Sequence, residues 1–315
     1  MRVVVALGGN ALLRRGERPT AAAQGANVKR AARALARLAG QGHALVVSHG
    51  NGPQVGLLAL RGDAGPPDEA DPLDLLGAET EGMIGYLIER ELRNVLPAGQ
   101  RVATLLTQVE VDPKDPALRQ PTKPIGPVYG KAEAARLAAA RGWTVARDGA
   151  GYRRVVASPM PRRILEGGVI ALLVDSGVIV ICAGGGGIPV VVGPDGGLVG
   201  VEAVIDKDHA SALLARGLRA DALLLLTDVD AVHADWGSPA QRPIRRADPA
   251  ALRRHVFETG TMAPKVAAAC AFVAATGGTA GIGRLDDAAE ILAGQAGTTV
   301  APDRPDPPAG VAGAD

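Results

Sequence analysis

The sequence predicts an α/β fold in which a mostly parallel sheet carries helices on both faces. Short apolar runs rich in β-branched residues recur along the chain, stretches with helical spacing alternate with them, and glycine-rich turns follow three of the runs. Continuous apolar runs are typical of strands that are buried on both faces, and parallel strands need a crossover helix between them. The alternation therefore favours a parallel sheet with a layer of helices on each side.

The individual elements follow from the same patterns. Buried strands are predicted at Val3–Leu7, Ala44–Val47, Val102–Val111, Val178–Ala183 and Ala222–Leu226. Helices are predicted at Asn27–Leu38, from Gln54, and at Leu73–Leu96, Asp206–Arg216, Pro264–Ala275 and Asp286–Ala293. Pro53 suits the first turn of the helix that follows it, because the N–H that proline lacks has no partner there.

One part of the chain is predicted to leave the core. Asp112–Gly130 contains five prolines and shows little periodicity. After it, Trp143–Arg147 and Arg153–Val156 flank a polar turn and are predicted to pair as a hairpin. The proline-rich tail after Val300 is predicted to be a flexible end.

Composition narrows the class of protein. Among 315 residues, 34 Lys and Arg face 33 Asp and Glu, and only 2% are aromatic, so neither phosphate neutralisation nor base stacking predicts a nucleic-acid partner. The uncharged run Ser176–Pro194 contains six glycines and two prolines, which indicates two buried strands around a turn and no membrane span. Cys182 and Cys270 have no metal-ligand spacing and fit a reducing cytoplasm.

Three glycine clusters follow predicted strands and indicate a phosphate-rich ligand. They are Gly8-Gly9, Gly50-Asn51-Gly52 and Gly184–Gly187. Ligands of open α/β sheets bind beyond the carboxyl ends of the strands, where glycine lets backbone N–H groups converge on an anion. The chain has no GxxxxGK[ST] motif, and Gly50-x-Gly52-x-x-x-Gly56 only approximates a dinucleotide fingerprint, so a nicotinamide oxidoreductase is the second choice.

Lysine usage points to candidate phosphate-binding residues. Only six of the 34 basic residues are lysine. An ammonium is a compact point charge that fits among phosphate oxygens, so a chain rich in arginine is expected to keep lysine where that property matters. Lys123, Lys207 and Lys265 lie in Gly/Pro-rich or helix-start contexts and are predicted to be functional. The remaining three, Lys29, Lys114 and Lys131, are interpreted as surface residues.

The acidic residues near these lysines have structural alternatives. Asp206 is predicted to cap a helix, and Asp208 suits the first helical turn or holds neighbouring ammonium groups in place. Asp228 and Asp230 end an apolar strand, where they either bind Mg²⁺ or serve a turn. His49 beside a glycine turn either hydrogen-bonds an anion or is structural.

Taken together, these residues resemble the carbamate kinases of the amino acid kinase family over about residues 2–300. The HGNGPQVG, PTKPIGP and EAVIDKD stretches are specific to that group. The matching segments are Val4–Leu12, Ser48–Gly56, Thr107–Val109, Pro121–Pro127, Arg154–Val156 with Ser158-Pro159, Gly184–Pro189, Gly200–Asp208, Leu226–Asp230 and Met262–Val266.

The resemblance implies a three-layer α/β/α sandwich with a small protruding subdomain. Residues 1–175 would form an acceptor lobe that includes the lid-like subdomain 112–160, residues 176–302 a nucleotide lobe, and 303–315 a flexible tail. It also implies a homodimer and reversible phosphoryl transfer between ATP, with Mg²⁺, and carbamate. The usual direction in the family forms ATP from carbamoyl phosphate during arginine breakdown.

The resemblance also assigns roles to residues, but no protein ligand to the metal. The catalytic set is Lys123, Lys207, Asp208 and Lys265; the substrate and phosphate set is Gly8, Gly9, Asn10, Gly50, Asn51 and Gly52; the nucleotide set is Gly184, Gly185, Thr227, Asp228, Val229 and Met262. The departures from the family pattern include His209, Ala157 and Thr261. None removes a charged catalytic position, so they bear on stability or rate.

Two alternatives stay open at the level of sequence. Another amino acid kinase would act on a larger acceptor such as acetylglutamate, glutamate or aspartate, and would need a clamp for a side-chain carboxylate. The proline-rich segment that carries Lys123 distinguishes the two readings. The other alternative is a sensor that keeps the fold without turnover, against which the retention of Lys207, Asp208 and Lys265 argues.

Overall fold

A computed structural model describes residues 1–12, 17, 20–62, 71–255, 257 and 262–303. The strands in these ranges are β1 (Arg2–Leu7), β2 (Ala44–His49), β3 (Val102–Thr104), β4 (Gln108–Val111), β5 (Lys123–Tyr129), β6 (Thr144–Asp148), β7 (Gly151–Val156), β8 (Pro161–Ile164), β9 (Ile179–Ile181), β10 (Ile188–Val192), β11 (Leu198–Gly200), β12 (Ala222–Thr227), β13 (Val232–Ala234), β14 (Arg242–Ile244), β15 (Arg246–Ala247), β16 (Thr279–Arg284) and β17 (Thr298–Val300). The α-helices are α1 (Gly9–Leu12), α2 (Ala21–Gly40), α3 (Gly52–Gly62), α4 (Leu73–Val95), α5 (Lys131–Arg141), α6 (Gly167–Asp175), α7 (Lys207–Gly217), α8 (Pro249–Arg253), α9 (Met262–Thr276) and α10 (Ala288–Leu292).

The central sheet has eight strands in the order β15-β17-β16-β12-β1-β2-β9-β3. β1 pairs in parallel with β12 and β2, and the parallel pairing continues from β2 through β9 to β3 and from β12 to β16. Only the pairing of β16 with β17 is antiparallel within this sheet as described. The predicted fold class, a mostly parallel sheet, is confirmed.

The two faces of the sheet bury separate apolar clusters. Val4 and Ala6 of β1 pack with residues of α6, α7 and α9, whereas Val3, Val5 and Leu7 pack with residues of α2, α4 and α10. Successive residues of a strand point to opposite faces, so both faces of β1 must be apolar. This arrangement confirms the three layers and explains why the strands read as uninterrupted apolar runs.

A three-stranded sheet, β5-β7-β6, forms a separate unit with α5. β6 and β7 form the predicted hairpin, and the proline-rich segment before it supplies β5. Gly126 of β5 has a φ of +71° and lies directly against Gly56 of α3, where a Cβ on Gly56 would overlap the Gly126 backbone. The two glycines therefore allow β5 to approach the helix that begins at Gly52.

Several sequence boundaries are wrong. The predicted strand Val102–Val111 is two strands in different sheets, because hydrogen bonds hold Thr107 to α4 and to the turn after β9. α5 and α6 were not predicted. The predicted helix at Asp286–Ala293 begins as a 3-10 turn and becomes α-helical only at Ala288.

The predicted lobe boundaries stay a prediction. β9, from the predicted nucleotide lobe, lies between β2 and β3 of the predicted acceptor lobe. Residues 304–315 of the predicted tail lie outside the described residues. Within the described ranges, no helix combines the length and hydropathy that a bilayer span requires.

Candidate active site

The predicted glycine turns meet at one edge of the central sheet. Gly8 follows β1, Gly50 follows β2, Gly184 lies shortly after β9, and Thr227 ends β12. These four strands are neighbours and parallel, so their carboxyl ends lie along the same edge. This edge is where open α/β sheets bind ligands.

Asp208 joins two buried ammonium groups at this edge. Its Oδ1 accepts a hydrogen bond of 2.5 Å from Lys207 Nζ, and its Oδ2 accepts one of 3.0 Å from Lys265 Nζ. All three residues are less than 10% exposed. α7 supplies Lys207 and Asp208 from its first turn, and α9 supplies Lys265, so helix packing brings together residues 57 positions apart.

The electrostatics of the cluster favour an anionic ligand. Burial opposes ionisation of Asp208, but the two lysine charges outweigh it and hold the pKa of Asp208 well below its ordinary value. Burial lowers the pKa of Lys207, whereas for Lys265 the charge of Asp208 outweighs burial and raises the pKa. Two ammonium groups against one carboxylate leave an excess of positive charge, which a phosphate group can compensate.

Lys123 reaches the same helix start from β5. Its Nζ pairs with Asp206 Oδ2, and Asp206 Oδ1 accepts from the backbone N–H of Asp208 at 2.8 Å and caps α7. Burial raises the pKa of Asp206, but the charge of Lys123 outweighs it and the net shift is downward. The structure therefore brings Lys123, Lys207, Asp208 and Lys265 to one place.

The glycines after β1 and β2 serve close packing. Gly8 N–H donates to Leu226 O at 2.9 Å, and Gly50 N–H donates to Leu7 O at 3.0 Å, so these two donors extend the sheet. A Cβ on Gly8 would lie 2.8 Å from Leu226 O, and one on Gly50 would lie 3.0 Å from Gly9 N. These distances correct the expectation that Gly8 and Gly50 direct their own N–H groups at the ligand.

Other members of the predicted phosphate set frame the same space. Gly9 and Asn10 belong to α1, and the Asn10 side chain lies outside the described residues. Asn51 is buried, and its Nδ2 donates to Thr80 Oγ1 at 2.8 Å. Gly52 begins α3.

Gly184 and Gly185 lie against the turn that follows β2. A Cβ on Gly184 would overlap the ring of His49, and one on Gly185 would overlap the Asn51 amide. β1 and β2 separate β9 from β12, the strand that ends at Thr227. Gly184 and Gly185 therefore lie nearer to the Gly50–Gly52 turn than the strand order places the end of β12, and their predicted contact with the nucleotide stays a prediction.

The rest of the predicted nucleotide set lies at the end of β12 and the start of α9. Thr227 Oγ1 donates to Asp228 Oδ1 at 3.1 Å, and the charge of Asp228 is one of those that raise the pKa of Lys265. Val229 follows, and Met262 begins α9 one turn before Lys265. The carboxylate of Asp230 accepts from His233 at 2.9 Å and from Arg245 at 3.4 Å, which favours the turn interpretation of this strand end.

The departures from the family pattern have different surroundings. The backbone N–H of His209 donates to Asp206 at 3.4 Å, and Ala157 is buried and accepts from the backbone N–H of Val204 at 3.0 Å. Thr261 lies outside the described residues.

Glu81 is a buried residue of the site that the sequence reasoning missed. Its Oε1 accepts from Gly184 N–H at 2.7 Å and its Oε2 from Thr107 N–H at 3.2 Å. Burial raises the pKa of Glu81 to about 8, and burial lowers the pKa of His49 to about 4, beside the charge of Lys207. The sequence did offer one signal. Glu81 is an acidic residue at a core-facing position of α4, three positions before Ile84 and seven before Ile88.

Glu81→Gln should change the pH dependence of stability. Because the pKa of Glu81 in the folded protein lies above its ordinary value, the wild-type free energy of unfolding should fall relative to that of the variant as pH rises from 5 to about 8. Denaturant unfolding at several pH values measures the difference. Glu91→Gln, which changes another buried glutamate of α4, is the control, and parallel curves for wild type and Glu81→Gln would contradict the prediction.

A cavity of about 450 Å³ lies between α3, α4 and β7. Its polar lining includes Arg61, Glu79, Arg154 and Glu202. It contains none of the predicted site residues. Glu202 also accepts from Leu73 N–H at 2.7 Å, so part of the lining stabilises the start of α4.

The fold and the excess positive charge of the buried lysine–aspartate cluster suit an α/β enzyme that acts on an anionic substrate, and comparison with known proteins specifies the family. The amino acid kinase family matches residues 1–284. The carbamate kinases of Rhizobium meliloti and Haemophilus influenzae are 55% and 54% identical to this chain, each over 95% of it and over 93% and 96% of their own lengths. The chain therefore belongs to the carbamate kinases of the amino acid kinase family.

Solved structures agree with this assignment. The Giardia lamblia carbamate kinase bound to citric acid superimposes with a TM-score of 0.89 at 40% identity, covering 96% of this chain and 98% of its own. The same enzyme bound to AMP-PNP gives a TM-score of 0.84 at 40% identity with the same coverage. At these identities the likeness concerns the family as well as the fold.

Proposed function

We propose that this protein transfers a phosphoryl group reversibly between ATP and carbamate, with ADP and carbamoyl phosphate as the other pair. The observation that carries the proposal is the buried cluster of Lys207, Asp208 and Lys265, whose excess positive charge lies where three glycine turns meet. The relatives named carbamate kinase support the choice of acceptor.

The main obstacle to this reaction is repulsion between two anions. Carbamate is already ionised at neutral pH, so its oxygen attacks the γ-phosphorus without a general base. In the reverse direction that oxygen leaves as carbamate while an oxygen of the ADP β-phosphate takes the phosphoryl group. Catalysis therefore consists of positioning the reactants and stabilising charge, as in other phosphoryl transfers.

The lysine cluster would supply the charge. Lys207 and Lys265 each direct an ammonium group at the transferring phosphoryl group or at the oxygen that bridges it to the β-phosphate. Asp208 holds the two ammonium groups in a fixed separation, because each of its oxygens accepts from one of them. A preorganised pair of cations needs no reorganisation as charge moves during the transfer.

The two substrates would bind on opposite sides of this cluster. Lys123, Gly9, Asn10 and the Gly50–Gly52 turn face the carbamate and the γ-phosphate. Thr227, Asp228, Val229 and Met262 line the nucleotide. The strand order supports this division of the site into two sides, because β1 separates the turn after β2 from the end of β12.

We propose that Mg²⁺ arrives with the nucleotide. Among the described residues no group of three or more His, Cys, Asp or Glu side chains could hold a metal ion. Both oxygens of Asp208 accept from lysines, whereas Asp206 accepts from Lys123 through Oδ2 and from backbone N–H groups through Oδ1. The part of the chain that the structure describes therefore forms no protein cage for the ion. Bound to the phosphates, Mg²⁺ would supply further charge neutralisation.

Lys123→Met should lower kcat/KM for carbamoyl phosphate by about tenfold or more, since a charge-assisted contact to an anion is lost. Steady-state ATP formation at saturating ADP measures it. Lys131→Met, at the start of α5 in the same subdomain, is the control and should leave kcat/KM unchanged. Equal values for both variants would contradict the role of Lys123.

ATP formation from carbamoyl phosphate and ADP, detected with a coupled assay, tests the proposed function. We expect turnover with this pair and none when acetylglutamate, glutamate or aspartate is offered with ATP. Preference for one of those acceptors would identify another amino acid kinase. Nucleotide binding without turnover of any acceptor would identify a sensor.

We also propose a homodimer that works in the cytoplasm, in the ATP-forming direction of arginine breakdown. Met83 and Tyr86 of α4 and the nearby Leu106 are exposed apolar side chains, which supports a subunit contact. Both cysteines are free thiols, which supports a reducing compartment. Sedimentation should give twice the chain mass of 31.9 kDa.

A further inference from the structure

Two consecutive residues of α4 hold two of the turns at the site. Thr80 Oγ1 accepts from Asn51 Nδ2 at 2.8 Å and donates to Leu76 O at 2.8 Å. The Thr80 hydroxyl therefore fixes the Asn51 side chain relative to the helix. Both Thr80 and Asn51 are buried, so water does not readily replace this contact.

Glu81 holds the second turn. Its carboxyl group accepts from the backbone N–H groups of Gly184 and Thr107, at 2.7 and 3.2 Å. Thr107 Oγ1 in turn accepts from Ala183 N–H at 2.8 Å. The loop after β3 and the turn after β9 are thus connected through one side chain of α4.

The two turns also contact each other. Gly185, with a φ of +68°, lies against the Asn51 amide so closely that a Cβ would overlap it. A shift of the turn held by Glu81 would therefore displace the side chain held by Thr80. His49 lies in the same region, where a Cβ on Gly184 would overlap its ring. The packing leaves little room for the Gly50–Gly52 turn to adjust.

We propose that Thr80 and Glu81 are positioning residues for the phosphoryl transfer, which they support by fixing the Asn51 amide and the adjoining glycine turns. The inference rests on the proposed function, in which Asn51 contacts the substrate or the phosphates. Neither residue needs to touch a reactant. A small misplacement of a positioning group can cost as much as about a hundredfold in rate.

The protonation state of Glu81 suits this role. Burial raises its pKa to about 8, so at neutral pH the carboxyl group is mostly uncharged and adds little negative charge beside the anion site. The titratable groups around it are His49 on β2, Cys182 after β9, Glu166 before α6 and, beyond His49, Lys207 on α7. Of these, Glu166 raises the pKa of Glu81 further.

Kinetics of the full-length protein in the ATP-forming direction test the proposal. Thr80→Val, which keeps the side-chain shape, should lower kcat by about tenfold or more, and Thr80→Ser should retain kcat within about threefold. Glu81→Ala should lower kcat by about thirtyfold or more, and Glu81→Gln should recover most of that loss, because its amide oxygen still accepts from one N–H. KM for ADP should stay within about threefold of wild type in all four, since the nucleotide side is untouched.

Glu91→Ala is the matched control, because Glu91 is a buried glutamate on the same helix that pairs with Arg90 away from these turns. Its kcat should match that of wild type. Wild-type kcat in Thr80→Val would overturn the proposal, as would equal losses in Thr80→Val and Thr80→Ser. If Glu81→Ala does not fold, the Thr80 pair decides the outcome. An inactive wild type would instead contradict the proposed function itself.

Discussion

Lys207→Ala and Lys265→Ala are each expected to lose at least about a hundredfold in turnover, since removing one preorganised charge donor costs about 2.7–4 kcal/mol in the transition state. The fold should survive either change. Asp208 accepts from both lysines, so it keeps one cationic partner when the other is removed. Initial rates of ATP formation and circular dichroism of the same samples measure the two effects.

Lys29→Ala is the control for this pair, because Lys29 is a lysine of α2 on the exposed side of that helix. It should retain wild-type turnover. Near-normal turnover in both Lys207→Ala and Lys265→Ala would refute the catalytic assignments. Loss of the folded state in either variant would show that the cluster serves stability first.

Asp208→Asn should lower the free energy of unfolding by about 3–5 kcal/mol at neutral pH, because it leaves two buried ammonium groups without their shared carboxylate. Urea denaturation measures the change. The pKa of Asp208 lies below its ordinary value in the folded protein. The difference in free energy of unfolding between wild type and variant should therefore be full at pH 6 and shrink as the pH falls below about 3.9, where the unfolded chain binds a proton that the folded protein does not. ATP should reduce the difference in free energy of unfolding between wild type and variant, because its phosphates supply negative charge to the two lysines.

Asp286→Asn provides the comparison. Asp286 pairs with Arg30 at 3.2 Å, but its side chain is 61% exposed, and such surface pairs contribute about 0–1 kcal/mol. A loss of that size in Asp208→Asn would mean that the two lysines do not depend on Asp208. The positioning role assigned to that carboxylate would then be wrong.

The layers and the parallel sheet were predictable because their signals are local. A strand buried on both faces must be apolar along its whole length, as Val3–Leu7 and Ala222–Leu226 are. The glycine turns were equally visible in sequence. Their physical role differs in part from the predicted donation of N–H groups to an anion. Gly8 and Gly50 use their N–H groups within the sheet and are needed for close backbone approach.

The contacts that the sequence could not show are long-range. Residues 102–111 were predicted as one strand, and the hydrogen bonds of Thr107 to α4 and to the turn after β9 divide them into two. Glu81 and Gly184 are 103 positions apart. A buried acid in an amphipathic helix signals a constraint, but its partner is defined only by tertiary packing.

The lysine cluster could be predicted from the sequence only in part. Scarcity of lysine selected Lys123, Lys207 and Lys265 from the sequence, and adjacency suggested that Asp208 contacts an ammonium group. The packing of α9 against α7 brings Lys265 to the second oxygen of Asp208. The pairing of Lys123 with Asp206, the residue that caps α7, depends on the position of β5. Nothing in the sequence predicts this pairing.

A crystal structure of the protein with AMP-PNP and Mg²⁺ tests most directly whether the buried cations receive the phosphate chain. We predict that Nζ of Lys207 and Nζ of Lys265 lie about 2.7–3.2 Å from oxygens of the β- or γ-phosphate, with Asp208 still between them. A phosphate chain bound elsewhere, with both Nζ atoms more than about 6 Å from any phosphate oxygen, would contradict charge neutralisation by these residues.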